Sequence, residues 1–190
     1  MFGYEMFFAG QKAAHGFELY HHLSLLINAN PQIRSIVELG SSKGAMSIYL
    51  GLWGARMGIP VHTFDLEPKP LMVNDGILGT AEPIFKKLGI QGHWVDFTTP
   101  EGHRQVVESV GTLPTLLYVD GGNKTNEFNT FVPLTAKDSV ICVHDFFNDP
   151  VVGEIKSTDV EHTVQAHGLK LEPWESSKWS SLALGMWIKR

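Results

Sequence analysis

The stretch VELGSSKGAMS, residues 37–47, joins an apolar run to a helical pattern through two glycines, in the order Glu38-x-Gly40-x-x-x-Gly44. Glycines permit a sharp turn and a close approach of a ligand to the backbone, and a following helix offers unpaired N–H groups. Glu38 would repel a pyrophosphate but suits an ammonium group, whereas the helix dipole beyond Gly44 favours a carboxylate. We therefore expect this turn to hold the zwitterionic end of a nucleotide-like ligand.

A second group of reactive side chains follows two later apolar runs, where Asp120 ends the first run and His144 and Asp145 end the second. Two carboxylates that converge at neighbouring strand ends repel each other, so such a site requires a cation or a proton between them. Mg²⁺ is one candidate, because it prefers oxygen ligands. Without a metal, His144 is the candidate general base, because a neutral imidazole accepts a proton near physiological pH. Lys124 is either a contact for an anionic or hydroxylated substrate or a solvated lysine at a helix start.

These residues lie where strand-like patterns end, in a chain that alternates between strand-like and helical spacing. A helical pattern covers GFELYHHLSLLINAN. Further helical patterns then separate five strand-like segments, which are IRSIVELG, VHTFDLEP, GHWVDF, TLLYVDGG and DSVICVHDFF. Asp149-Pro150 offers an N-cap and a proline at the first helical position, so another helix is predicted from there to about Gly168. Two extended segments, LKLEPW and SLALGMWIKR, follow it.

This order of elements predicts an α/β fold. Strands that alternate with helices form a doubly wound, mostly parallel sheet, here of seven strands, and the last two extended segments form an antiparallel C-terminal hairpin. In such sheets ligands bind beyond the carboxyl ends of the strands, where the strand order reverses. We therefore expect the glycine turn and the acids at the strand ends to border one crevice.

The segment VELGSSKGAMS resembles the first motif of the class I S-adenosylmethionine-dependent methyltransferases, whose core is Rossmann-like, and more narrowly of their small O-methyltransferase branch, which includes catechol-type and macrolide-sugar enzymes. The resemblance covers nearly the whole chain. It implies S-adenosylmethionine as the cofactor. It also implies that the methionine end of the cofactor is held by Glu38, Gly40, Ser41, Ser42 and Gly44.

The same resemblance assigns roles to the acids that end later strands. Asp65 corresponds to the acid that binds the ribose hydroxyls, with Leu66 against the adenine, and Asp96 to an adenine-facing acid. Asp120 and Asp145 correspond to positions where metal-dependent members hold a divalent cation. Those members usually carry a third oxygen ligand next to the last acid, and this sequence departs from that pattern at His144.

Composition limits the remaining possibilities. A chain of 190 residues is long enough for one substantial core, so a single domain is predicted. The net charge of −5 and the lack of a basic run argue against a nucleic-acid partner. No segment reaches the roughly 18 apolar residues of a membrane span. The lone Cys142 indicates neither a disulfide framework nor a zinc site, which favours a reducing, cytoplasmic setting.

Within this single domain, residues 33–190 are predicted to form the α/β core and residues 1–32 a helical lid segment. The aromatic residues of the lid segment are expected to cover the cofactor or to mediate a homodimer. They are Phe2, Tyr4, Phe7 and Phe8.

The function predicted from these residues and from the resemblance is transfer of a methyl group from S-adenosylmethionine to an oxygen of a small hydroxylated acceptor, with or without a divalent cation. Two alternatives stay open. A nucleotide-dependent oxidoreductase would bind NAD in place of S-adenosylmethionine. A non-catalytic module with the methyltransferase fold would bind the cofactor and methylate nothing.

Overall fold

A mixed sheet of seven strands lies at the centre of the molecule. The computed structural model describes residues 7–8, 11–12, 17–66, 70–73, 76–80, 82–147, 155–174 and 184–190. In chain order the elements are β1 (Phe7–Phe8), β2 (Gln11–Lys12), α1 (Phe17–Ala29), β3 (Ser35–Leu39), α2 (Ala45–Met57), β4 (Val61–Asp65), β5 (Pro70–Val73), β6 (Gly76–Thr80), α3 (Glu82–Leu88), β7 (Ile90–Trp94), α4 (Pro100–Val110), β8 (Thr115–Val119), α5 (Lys124–Phe131), a 3-10 turn (Val132–Leu134), β9 (Val140–His144), β10 (Phe146–Phe147), β11 (Ile155–Lys156), α6 (Ser157–His167), β12 (Leu171–Pro173) and β13 (Leu184–Lys189). None of these described helices combines the length and the apolar character that crossing a bilayer requires.

The strand order of the sheet is β12-β13-β9-β8-β3-β4-β7. Strand β13 runs antiparallel to β12 and β9, and the other neighbouring strands are parallel. Parallel neighbours need crossover connections, which the helices supply. The chain moves outward from β3 through β4 to β7 and then returns to β8 on the other side of β3, so the order reverses between β3 and β8. The predicted doubly wound, mostly parallel sheet with an antiparallel C-terminal hairpin is confirmed.

The two central strands are buried along their whole length. Alternate side chains of β3 point to opposite faces, so Ile36 packs in the cluster that includes α1 and α2, and Val37 in the cluster that includes α4 and α5. Burial on both faces explains why these strands read as nearly continuous apolar runs. It also fixes the carboxyl ends of β3 and β8, which carry the residues of interest.

Helix α1 packs into the core. Its apolar side chains Leu19, Leu23, Leu26 and Ile27 are buried in the same cluster as Ile36 of β3. Lifting this helix away would therefore expose core side chains to water. The helix of the predicted lid segment thus shares the core of residues 33–190, and a lid role for residues 1–32 stays a prediction.

The dimer prediction rests on aromatic residues that precede α1. Phe2 and Tyr4 lie outside the described residues. Phe7 and Phe8 form β1, which pairs antiparallel with Gln11–Lys12. Dimerisation through this segment stays a prediction.

The sequence prediction is wrong about the start of α6, and it missed two antiparallel strand pairs, β1–β2 and β5–β6. The predicted helix start, Asp149-Pro150, lies outside the described residues, but Ile155–Lys156 form a strand that pairs with Phe146–Phe147, and α6 begins at Ser157. A carboxylate oxygen of Asp159 accepts a hydrogen bond from the backbone N–H of Lys156 at 2.9 Å, and this bond satisfies a donor at the helix start. The second of these pairs, β5 with β6, is the next pair of strands after β4 in the chain.

Candidate cofactor and acceptor site

A cavity of about 550 Å³ opens at the carboxyl ends of β3, β4, β7 and β8. This is the side of the sheet, and the point of strand reversal, where ligands of such folds bind. Among the predicted site residues, the cavity is lined by Gly40, Ser42, Asp65, Leu66, Asp96 and Asp120. The lining residues that the sequence did not single out are Phe97, Thr98, Gly121, Gly122, Asn123, Asn126 and Glu127.

Gly40 allows the ends of β3 and β8 to approach each other closely. Its φ is +90°, and a Cβ atom there would lie 2.3 Å from the carbonyl oxygen of Asp120. Side chains cannot be this close to backbone atoms, so only glycine fits. Gly44 also has a left-handed backbone, with φ +84°, directly before α2, and Ser42 between the two glycines has φ +46°. The two glycines thus shape the turn, and Gly40 also brings it against Asp120.

Asp65, at the end of β4, is bonded to the glycine turn. One carboxylate oxygen accepts hydrogen bonds from the backbone N–H of Ser42 at 2.8 Å and from the hydroxyl of Ser41 at 3.2 Å. The other oxygen accepts one from the N–H of Leu66 at 2.7 Å. The carboxylate is therefore positioned before any ligand arrives. Ser41 is buried behind it, whereas Ser42 and Asp65 face the cavity.

Glu38 is fully buried in the middle of the sheet and does not line the cavity. Its Oε2 accepts hydrogen bonds from the hydroxyls of Ser47 and Thr63, both at 2.5 Å. No hydrogen-bond partner for Oε1 is found among the described residues. Burial raises the pKa of Glu38 to about 8, and the charges of Asp120 and Asp65 act in the same direction, while the two hydroxyls oppose the rise.

The Glu38→Gln variant is expected to lose a pH dependence of stability. Folded Glu38 keeps its proton up to about pH 8, whereas an unfolded glutamate ionises near 4.5. Its contribution to the free energy of unfolding is therefore complete below about pH 4.5 and is lost as the pH rises to about 8. Glutamine does not titrate. The free energy of unfolding of the variant, relative to that of wild type, should therefore rise by up to about 1.4 kcal/mol per pH unit in that window. Urea unfolding of both proteins across the window measures this, and a constant difference would contradict it.

The outer wall of the cavity combines apolar and acidic groups. Leu66 is 65% exposed, more than the other exposed large apolar side chains of the described residues, and it shares this wall with Phe97. Asp96 follows the end of β7, and its carboxylate accepts hydrogen bonds from Thr98, from the N–H at 2.9 Å and from the hydroxyl at 2.6 Å. These bonds hold the pKa of Asp96 below its usual value. Asp96 thus caps its own turn, and an adenine-facing role stays a prediction.

Glu127 organises the loop between β8 and α5, a role that the sequence did not reveal. Its buried carboxylate accepts hydrogen bonds from the backbone N–H groups of Gly121 and Asn123, both at 3.0 Å. A side chain on Gly121 would collide with this carboxylate. The Asn123 side chain accepts a hydrogen bond from the N–H of Asn126 at 3.1 Å and caps α5. The asparagine cap with a nearby glutamate was the available sequence signal.

The ammonium group of Lys124 lies between the two carboxylates of the second group. Its Nζ is 3.2 Å from Oδ2 of Asp145 and 3.5 Å from Oδ1 of Asp120. It also donates to the carbonyl oxygen of Gly121 at 3.1 Å. Only 5% of the side chain is exposed. The positive partner that the converging carboxylates require is therefore supplied by the chain itself.

His144 contacts the same two carboxylate oxygens. Its Nδ1 is 3.1 Å from Oδ1 of Asp120 and 3.3 Å from Oδ2 of Asp145. Asp145 has φ +54°, a left-handed conformation that is uncommon for residues other than glycine. Such strain persists where surrounding contacts impose it, here those with Lys124 and His144. The structure thus brings together all four residues that the sequence predicted for the acceptor end.

Solved structures similar to this chain include CmcI in a form with Mg and SAM, at 14% sequence identity and a TM-score of 0.70, covering 98% of this chain and 76% of that one. The O-methyltransferase from Bacillus cereus in complex with SAH is 15% identical, with a TM-score of 0.58 and coverage of 94% and 84%. The O-methyltransferase TomG from Streptomyces achromogenes, with SAM, is 18% identical, with a TM-score of 0.53 and coverage of 94% and 82%.

No protein-family model and no curated protein sequence matches the chain. The structural similarity extends over nearly the whole sequence at low identity. The chain therefore has the Rossmann-like methyltransferase fold.

Proposed function

We propose that this chain is an S-adenosylmethionine-dependent methyltransferase that methylates an oxygen of a small hydroxylated acceptor. One observation carries the proposal. The same cavity is bordered by the glycine turn with its bound Asp65 and by Asp120, which contacts His144. A cofactor held at the first would thus lie beside a proton-accepting group at the second. The similar structures with SAM or SAH support this reading through their shared fold.

The residues present suit this cofactor. Asp65 presents a positioned carboxylate to the cavity, which favours paired hydroxyls such as those of a ribose. Leu66 and Phe97 provide apolar surface for a flat base. Glu38 precedes Gly40 by two residues and is fully buried, so its part in holding the amino-acid end would be indirect, through the position of the glycine turn.

When bound, S-adenosylmethionine supplies a methyl group that is attached to a positively charged sulfur. After the methyl group has been transferred, this sulfur is a neutral thioether. The proton of the acceptor hydroxyl must then go to a protein group. Nδ1 of His144 faces a carboxylate oxygen of Asp120, so we assign the proton of the neutral imidazole to Nδ1, which donates to Asp120. The lone pair that takes up the proton of the acceptor hydroxyl is then on Nε2. Asp120 and Asp145 orient the imidazole and stabilise the imidazolium that forms. The remaining work of the protein is alignment and exclusion of water.

Calorimetry with S-adenosylhomocysteine and with NAD tests the proposed cofactor. We expect one S-adenosylhomocysteine to bind per chain and NAD to bind far more weakly. Tight NAD binding without S-adenosylhomocysteine binding would select the oxidoreductase alternative. Cofactor binding without methylation of any compound in a broad panel of hydroxylated acceptors would select the non-catalytic module.

The Asp65→Asn variant is expected to bind S-adenosylhomocysteine about 10–100-fold more weakly, because an amide makes weaker hydrogen bonds to two hydroxyls than a carboxylate does. The matched control is Asp138→Asn, which removes one negative charge at a residue that does not line the cavity. Calorimetry of both variants and of wild type measures the effect. An Asp65→Asn affinity within about twofold of the control would remove Asp65 from the cofactor site.

A further inference from the structure

We propose that the ammonium group of Lys124 is the built-in cation of the acceptor site, in the place where a divalent metal would otherwise bind, so that the reaction proceeds without a metal. This inference rests on the proposed function, because it concerns how the same site holds its acceptor. It assigns Lys124 as a positioning residue that acts through Asp120 and Asp145.

The first argument is competition for the same oxygen atoms. Among the described residues, donor atoms of Asp120, His144 and Asp145 lie within 4.8 Å of one another, which is close enough to surround one metal ion. However, Lys124 Nζ already contacts Oδ1 of Asp120 and Oδ2 of Asp145. The imidazole of His144 contacts these same two oxygens. A dication bound to them would lie close to an ammonium group, and the repulsion would be strong in this poorly solvated place.

The second argument is that helix stability does not explain the position of Lys124. It is the first residue of α5, next to the positive end of the helix dipole, where a cation is unfavourable. Burial of an ammonium group is also costly unless anions surround it. The two carboxylates and the carbonyl oxygen of Gly121 offset both costs.

The third argument is that the backbone is held in place both at the start of α5, near Lys124, and at the end of β9, near Asp145. On the α5 side, the Glu127 carboxylate holds the backbone N–H groups of Gly121 and Asn123. On the β9 side, the left-handed backbone of Asp145 directs its carboxylate to Lys124. A lysine held in this way keeps the two acids together without a metal and leaves His144 free of a metal bond.

Titration with Mn²⁺ alone tests the proposal, because Mn²⁺ accepts oxygen and nitrogen donors and is detected by electron paramagnetic resonance. Wild-type protein should bind no stoichiometric Mn²⁺ up to about 1 mM. Lys124→Met keeps an unbranched side chain without the charge, and it should bind one Mn²⁺ at least about tenfold more tightly than wild type. Adding Asp145→Asn to this variant should abolish the gain. The control Lys137→Met makes the same charge change at an exposed lysine and should behave as wild type.

Two results would overturn the proposal. One is a wild-type protein that binds one Mn²⁺ with a Kd below about 0.1 mM and loses it in Asp145→Asn. The other is a folded Lys124→Met variant that gains no Mn²⁺ affinity. If thermal unfolding shows that Lys124→Met does not fold, the wild-type titration alone decides. Calorimetry with S-adenosylhomocysteine on the same samples tests the proposed function independently of Mn²⁺ binding.

Discussion

The His144→Ala variant is expected to lose about 10²–10⁴-fold in turnover, because it removes the group that accepts the acceptor's proton. Its affinity for S-adenosylhomocysteine should stay within about twofold of wild type, because His144 does not line the cavity that would hold the cofactor. Transfer of a labelled methyl group to an identified acceptor measures the turnover, and calorimetry with S-adenosylhomocysteine measures the affinity.

His167→Ala is the matched control for this prediction, because His167 is an exposed histidine in the last turn of α6. It should show wild-type turnover. If His144→Ala turns over like this control, the proton goes elsewhere and the Asp120–His144 pair is structural.

The Gly40→Ala variant is expected to lose about 3–5 kcal/mol of folding free energy. The added Cβ would lie 2.3 Å from the carbonyl oxygen of Asp120, and the φ of +90° is strained for alanine. Neither strand end can retreat easily, because β3 and β8 are buried on both faces. For a domain of this size the melting temperature should fall by about 10 °C or more.

Gly58→Ala separates the two causes. Gly58 has a similar left-handed backbone, with φ +68°, but no atom lies within 4 Å of a Cβ built there. It should therefore lose only about 1 kcal/mol, the cost of the backbone conformation alone. Equal losses in both variants, measured by thermal and urea unfolding, would show that the approach of Gly40 to Asp120 is unimportant.

The sequence predicted the position of the site because parallel strands end at a common edge. Leu39 of β3 pairs with Phe64 and with Val119, so the residues after these strands must lie side by side. This is why Gly40, Asp65 and Asp120 border one cavity, as the strand-end argument required. The fold class followed in the same way from the alternation of strands and helices.

The partners of individual side chains could not be predicted, because they depend on how the elements pack. Glu38 pairs with Thr63 across the sheet and with Ser47 of α2, and its complete burial depends on both neighbours. Lys124 meets Asp145 only because α5 packs beside the end of β9, about twenty residues later in the chain. The requirement for a positive partner was predictable from Coulomb repulsion, but its identity as a lysine was not.

At the start of α6, the helix-start pattern in the sequence disagrees with the strand pairing in the structure. Asp149-Pro150 is a strong helix-start pattern, yet the described helix begins seven residues later, after Ile155 and Lys156 have paired with Phe146 and Phe147. Pairing with β10 takes precedence over the local preference, and Asp159 then provides the bond at the helix start.

A crystal structure of this protein with S-adenosylhomocysteine is the most direct test of the account. It predicts the ribose within hydrogen-bonding distance of Asp65, the amino-acid end on the turn from Gly40 to Gly44, and the sulfur directed toward Asp120 and His144. Saturating ligand that leaves this cavity empty, or that binds with its sulfur remote from Asp120 and His144, would contradict the account.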